Sequence, residues 1–198
     1  FLVSTSTLTW IPIGTLLLWV VYRNTGRTHF FFILLMFALC ILISDQVCSS
    51  IVKPLVHRPR PANDPINMYL FDVVNDYRGG RYSFYSGHAS NTFTVAVFFS
   101  RLFYDMRIKL LLISWAILNC YTRLYLGVHY LGDIMVGTAF GLMWGNLLYF
   151  IYLKKISPPL LPEATSELTR SGFRRSDLQM LSACILINYC LVIIVAMV

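Results

Sequence analysis

Three short runs of this 198-residue chain carry side chains suited to anion binding and proton transfer. The first is Lys53–Pro61, KPLVHRPRP, in which six residues separate Lys53 from Arg60. The second is Tyr85–His88, YSGH. With a helix starting directly after it, the free N–H groups of a first turn, a glycine that lets an anion come close and a serine hydroxyl form an anion site, and phosphate is its natural guest. The third is Thr122–Asp133, TRLYLGVHYLGD, with Arg123, His129 and Asp133. The four-residue spacing of His129 and Asp133 at a helix entry puts both on one face. The aspartate can then accept the imidazole Nδ1–H and fix the tautomer, leaving Nε2 as nucleophile or base. Singly, each run also fits a structural role: a snorkelling lysine before a basic loop, a capped helix start, and a hydrogen-bonded pair at a membrane interface.

The elements that must hold these runs together are apolar. The chain is 57% hydrophobic and 13% charged, against roughly 25% charged residues in an ordinary soluble domain, and its mean hydropathy is +0.65. Apolar stretches long enough for a bilayer run from Phe30 to Val52, Ala89 to Tyr104, Ile108 to Tyr125, Tyr130 to Leu153 and Leu178 to Val198, with a shorter one from Leu8 to Val21. Lipid offers no hydrogen-bond partners, so such segments satisfy their own backbone as helices. The expected fold is all-α, a polytopic transmembrane helical bundle of about six helices with an active-site loop between helices two and three. It forms one domain over residues 1–198, and the natural N-terminus is expected upstream of Phe1, which is not a methionine. The five cysteines, Cys40, Cys48, Cys120, Cys184 and Cys190, lack metal-site or disulfide spacing and read as buried free thiols. The net charge of +7 lies in short connections between apolar segments, where topology and anionic lipid account for it and nucleic-acid binding does not.

Alternate connections must fall on opposite sides of the membrane. Arg23, Arg27, Arg107, Lys155, Arg170, Arg174 and Arg175 share one side; Lys53, Arg58, Arg60, Arg78, Arg81 and Arg123 share the other. Setting aside cations held by function leaves the first side as the cytoplasmic one. The long loop after Lys53, with its proline-rich HRPRPAND, then faces outward. Ser157–Ser171 reads as a cytoplasmic linker without chemistry of its own, and Asp45, inside the second segment, should face the bundle interior.

Together the three runs resemble the type 2 phosphatidic acid phosphatase (PAP2) superfamily, in its membrane branch. Its signature is K-x6-R-P, then P-S-G-H, then S-R-x5-H-x3-D; here Lys53 with Arg60-Pro61, Ser86-Gly87-His88, and Arg123, His129 and Asp133 keep the order and every internal spacing. Tyr85 replaces the motif proline and Thr122 the motif serine.

The resemblance implies a lipid phosphatase or diphosphatase. His129 would attack phosphorus to give a phosphohistidine, Asp133 would orient it, and His88 would protonate the departing oxygen and later help activate water. Lys53, Arg60 and Arg123, with Ser86 and the N–H groups at Gly87 and His88, would neutralise the equatorial oxygens. Such a cationic nest needs no metal or other cofactor, and Asp133 alone is too few carboxylates for a hard-metal site. Arg58 and His57 fall outside the motif positions and read as rim or headgroup-binding residues. The expected partner is a membrane lipid phosphate, with no nucleic acid and no obligatory protein partner. The substrate class is an envelope lipid of the phosphatidylglycerophosphate, undecaprenyl diphosphate, phosphatidic acid or lipid A type, handled at the outer face of a bacterial inner membrane. Two alternatives compete. Vanadium-dependent haloperoxidases share the motifs but are soluble, and a silent lipid-binding or transport protein would need the cations without both histidines.

Overall fold

The computed structural model describes residues 7–66, 68–70, 77–156 and 161–197. Six long helices carry the architecture: α1 Thr7–Asn24, α2 Arg27–Gln46, α3 Gly87–Phe103, α4 Met106–Tyr125, α5 Leu131–Ile156 and α6 Arg175–Met197. No strand occurs among the described residues, only the isolated bridges Pro59 to Tyr82 and Leu168 to Arg174. The all-helical bundle is therefore as expected. Residues 157–160 of the anticipated linker lie outside the described residues.

Helix boundaries follow local chemistry. Asp105 caps α4 by accepting from the N–H groups of Arg107 and Ile108 at 2.9 and 3.1 Å. The end of α2 is less regular: it widens into a π-turn, Val47–Val52, before a last α-turn, Lys53–Val56. Pro54 explains the widening. It has no N–H to give and its ring crowds the carbonyl four residues back, and the neighbouring Lys53 N–H bonds Cys48 O, five residues back. His57 then adopts a left-handed conformation, φ 53°, and Pro59 and Pro61 prevent the helix from resuming.

Among the described residues, three helices are long and apolar enough to cross a membrane: Arg27–Val56, Leu131–Ile156 and Arg175–Ile194. α3 is less apolar because it hardly meets lipid; almost all of it is buried among α2, α4 and α5. Its serines and threonines satisfy one another inside the bundle, with Ser90 Oγ 2.5 Å from Ser44 Oγ and Thr94 Oγ1 donating to Ser90 O at 2.7 Å. Large apolar side chains, among them Phe31, Leu35, Leu110, Ile117, Met135, Phe150 and Ile187, point outward instead, the arrangement a lipid solvent rewards. Cys40, Cys48 and Cys120 are buried free thiols as expected, but Cys184 is only half-buried and Cys190 is exposed. Both belong to α6, the last helix, which packs chiefly against α1 and α4.

The two ends of the bundle are chemically distinct. At one end Asn24 accepts from Arg174 N at 2.9 Å and donates to Asp177 at 2.8 Å, and Ser171 Oγ donates to Phe103 O at 2.9 Å. The α1–α2, α3–α4 and α5–α6 connections therefore meet there. At the other end Ala62 N donates to Gly127 O at 3.0 Å and Ser86 N to Asp133 O at 3.0 Å, drawing the long loop, the start of α3 and the start of α5 together.

Candidate active site

What sets α3 against α5 is a row of glycines one turn apart. A Cβ on Gly137 would lie 2.5 Å from Ser86 O, one on Gly141 2.6 Å from Phe93 Cβ, and one on Gly145 2.7 Å from Thr94 O. Backbone packs on backbone along the whole contact. The start of α3, with Ser86, Gly87 and His88, is thereby pressed onto the corner that carries His129 and Asp133. Gly87 makes a second close approach: a Cβ there would sit 3.3 Å from Cys48 Sγ, in the π-turn of α2. That turn ends at Lys53.

Between these elements lies a cavity of about 210 Å³, room for several waters at ~30 Å³ each. Lys53 and Asp45 line it from α2, Arg60 and Tyr77 from the long loop, Gly87, His88, Asn91 and Thr92 from α3, Arg123 from α4, and His129 from the corner before α5. The motif residues are thus gathered from five stretches of chain around one space.

Two expected residues stand behind this lining. Ser86 is the N-cap of α3, its Oγ accepting from Ala89 N at 3.4 Å, so the oxygen expected to face an anion is engaged with the helix start. Asp133 is fully buried. Its Oδ2 accepts from Tyr130 N at 2.9 Å and lies 3.5 Å from His129 Nδ1. That last distance is an ion-pair separation rather than a closed hydrogen bond, yet it commits Nδ1 to the carboxylate and leaves Nε2 as the ring nitrogen for the cavity.

Arg58 corrects the expectation of a rim residue. Its Nη1 donates to Asp133 Oδ1 at 3.0 Å, and its guanidinium lies 4.0 Å from the centroid of the Tyr130 ring. It braces the aspartate from the side opposite the histidine. His57 remains exposed, edge-on to Tyr82 at 4.9 Å. No spacing rule could have found the Arg58 contact, which joins residues 75 positions apart.

The two motif departures have physical explanations. Thr122 Oγ1 accepts from Arg123 Nε and Nη2, both at 3.2 Å, and donates to Asn119 O at 2.7 Å. A hydroxyl is what the position requires, and threonine supplies it as serine would. Tyr85 is fully buried and stacks on Phe140 with centroids 4.7 Å apart. Its carbonyl accepts from Cys48 Sγ at 3.1 Å.

Electrostatics favour an anion in the cavity. Burial depresses Arg60 below the ordinary arginine range, and its buried Nε has no hydrogen-bond partner, so an anion would offset part of the desolvation. Burial also lowers His129 below the ordinary 6.5; Arg60 and Lys53 push the same way, and Asp133 opposes. The imidazole is therefore neutral at pH 7, the form with a free lone pair. Among the described residues, no group of three or more His, Cys, Asp or Glu is placed to hold a metal ion.

This convergence has a counterpart in known proteins: the model of the PAP2 superfamily matches residues 33–157. The chain belongs to that superfamily. The matched stretch contains every residue of the cavity. Among similar proteins is the lipid A 4'-phosphatase of Bacteroides thetaiotaomicron, 39% identical over 144 residues, which cover 72% of this chain and 64% of that protein. Another is the lipid A 4'-phosphatase of Porphyromonas gingivalis, 36% identical over 145 residues, covering 73% of this chain and 61% of that protein. The chain thus spans under two thirds of the length of either relative. No solved structure matches it.

Within this PAP2 member, three features escaped the motif pattern. The glycine row was visible as a small residue at every fourth position, a pattern typical of close helix contacts in membranes. Asp45 was expected to face the interior; it lines the cavity and accepts a long hydrogen bond from Ser49 Oγ, 3.4 Å. Gly79, φ 67°, lets the long loop fold over Arg60: a Cβ there would meet Nη1 at 2.5 Å. Nothing in its neighbourhood in the sequence announced that contact.

Proposed function

We propose that this protein is an integral membrane lipid phosphatase that uses His129 as its nucleophile. The observation that carries the reading is the single cavity lined by Lys53, Arg60, His88, Arg123 and His129, brought there from five separate stretches. Three cations beside two imidazoles suit a phosphoryl group whose charge must be neutralised while one nitrogen attacks and another group handles a proton.

In the first step the lone pair of His129 Nε2 forms a bond to phosphorus as the phosphorus–oxygen bond to the lipid breaks. His88, whose protonated form the negative charge of the bound phosphate favours, gives its proton to the departing oxygen, so the lipid leaves as an alcohol, or as a monophosphate when the substrate is a diphosphate. In the second step His88 takes a proton from water, whose oxygen attacks phosphorus, and the phosphorus–nitrogen bond breaks to release inorganic phosphate. Asp133, braced by Arg58 and Tyr130 N, holds the ring of His129 through both steps. Lys53, Arg60 and Arg123 keep the transferred group in place.

The relatives' names make a phosphorylated lipid A the first substrate to try, with phosphatidylglycerophosphate, undecaprenyl diphosphate and phosphatidic acid beside it. The cavity end would face the periplasm of a bacterial inner membrane. Ten of the chain's cations lie at or beyond the other end of the bundle, at Arg23, Arg27, Arg101, Arg107, Lys109, Lys154, Lys155, Arg170, Arg174 and Arg175, as the positive-inside rule requires of a cytoplasmic side.

The test is phosphate release by purified protein from these four lipids, with His129→Gln in parallel. Hydrolysis of at least one, abolished by the substitution in protein that still elutes as folded, is the expected result. A His129→Gln protein that turns over like the parent would refute the nucleophile. A wild-type protein that binds the lipids and releases no phosphate would favour the binding or transport alternative.

A further inference from the structure

A second and larger cavity, about 620 Å³, opens among α3, α4 and α5 far from the candidate active site. Arg101 lies thirteen residues along α3 from His88, which at ~1.5 Å per residue is roughly 20 Å. The PAP2 motifs do not reach this cavity, and the proposed chemistry does not use it.

Its walls are of two kinds. Val97, Ile113 and Leu142 form an apolar side, while Arg101 and Lys109 bring two exposed cations to the α3–α4 turn. Ser100 and Asn146 complete the lining, with Asn146 Nδ2 donating to Leu142 O at 2.7 Å. The carboxylate in the lining, Asp105, is already engaged in capping α4.

A free anion would need the cations but not the apolar wall, and an acyl chain would need the wall but not the cations. We propose that the cavity binds an anionic glycerophospholipid from the leaflet opposite the candidate active site. Its phosphate sits between Arg101 and Lys109, and an acyl chain lies along Val97, Ile113 and Leu142. The occupant would tie the α3–α4 turn to α5 from the side that carries most of the positive charge, where anionic lipid headgroups concentrate.

The test uses the full chain in neutral detergent, titrated separately with phosphatidylglycerol, phosphatidylcholine and inorganic phosphate, with the thermal unfolding midpoint as readout. Phosphatidylglycerol should raise the midpoint saturably and the other two should not. Arg101→Gln with Lys109→Gln should weaken the phosphatidylglycerol effect about tenfold or more. Leu142→Trp, which fills the apolar wall and leaves both charges, should weaken it as well and serves if the charge variant does not fold. Equal shifts with phosphatidylcholine would mean bulk solvation, and a shift with inorganic phosphate alone would mean a free-anion site. An undiminished phosphatidylglycerol effect in the variants would place the lipid elsewhere, including at the motif cavity. Each of these three results overturns the inference. None depends on whether the protein is a phosphatase.

Discussion

Replacing the glycines of α5 one at a time by alanine should separate stability from chemistry. At Gly141 the new Cβ would start 2.6 Å from Phe93 Cβ and 2.7 Å from Ser90 O, whereas carbon atoms in contact settle at about 3.5–4.0 Å. Helices α3 and α5 must part by about 1 Å, and overpacking of this kind costs about 1–3 kcal/mol. Gly137 and Gly145 meet equally rigid atoms, Ser86 O at 2.5 Å and Thr94 O at 2.7 Å, so the three variants should lose similar stability. Their kinetic effects should differ. Gly137 abuts the residue that caps α3 just before His88, and displacement of a catalytic group by about 1 Å is worth up to ~10²-fold in rate. The expected order of loss in kcat/KM is Gly137→Ala, then Gly141→Ala, then Gly145→Ala, from about 100-fold to a fewfold. Gly132 is the control. It sits beside Asp133 in sequence but has nothing within 4 Å of its Cβ position, so Gly132→Ala should keep activity and gain a little helix propensity. The assay is phosphate release well below the unfolding midpoint, normalised to monodisperse protein, with thermal midpoints measured alongside. Wild-type activity in Gly137→Ala, or losses that simply track the midpoints, would refute the claim that this helix contact sets the site.

Other substitutions test the surroundings of the cavity. Arg58→Gln removes the brace on Asp133; since its side chain is 40% exposed, the loss in kcat/KM should be modest, about tenfold or ~1.4 kcal/mol, and a null effect would return Arg58 to the rim. Thr122→Ser should behave as wild type, while Thr122→Val removes the acceptor of two Arg123 N–H bonds and should cost about 1–3 kcal/mol in kcat/KM; equal activity of the two variants would sink the hydroxyl argument. His129 has a folded-state pKa below 6.5, so the unfolded chain binds its proton more readily. Its neutral-state contribution to stability is whole above pH 6.5 and shrinks as pH falls towards the folded value. His129→Gln should therefore lose less thermal midpoint as pH falls below 6.5, and a steeper loss would contradict the sign. Asp45→Asn removes a negative charge from the cavity wall. A carboxylate in the lining repels a phosphate charge, and solvent and salt screen that repulsion, so inhibition by inorganic phosphate should tighten about fivefold; weaker inhibition would show that Asp45 assists the anion.

What the sequence disclosed and what it withheld divide along a physical line. Hydropathy located the helices because lipid forces each one to satisfy itself, so its evidence is local. The motif spacing located Lys53, Arg60, His88, Arg123 and His129, each of which the fold carries to the cavity wall, because a short run on one turn or one helix face is also local. Arg58 and Asp133 are different. Their contact spans 75 positions, and an arginine two residues before another arginine looks the same whether it meets a headgroup or a buried carboxylate. Asp45 lies between these cases. The cost of a carboxylate at membrane depth correctly turned it inward, but only the approach of α3 to the π-turn of α2 determines which interior space it meets. That approach rests on Gly87, and the matching approach of α3 to α5 rests on Gly137, Gly141 and Gly145. Residues with no side chain thus bring the chemical ones within reach of one another. Reading polar residues alone finds the groups that could act on a phosphate and misses the contacts that assemble them.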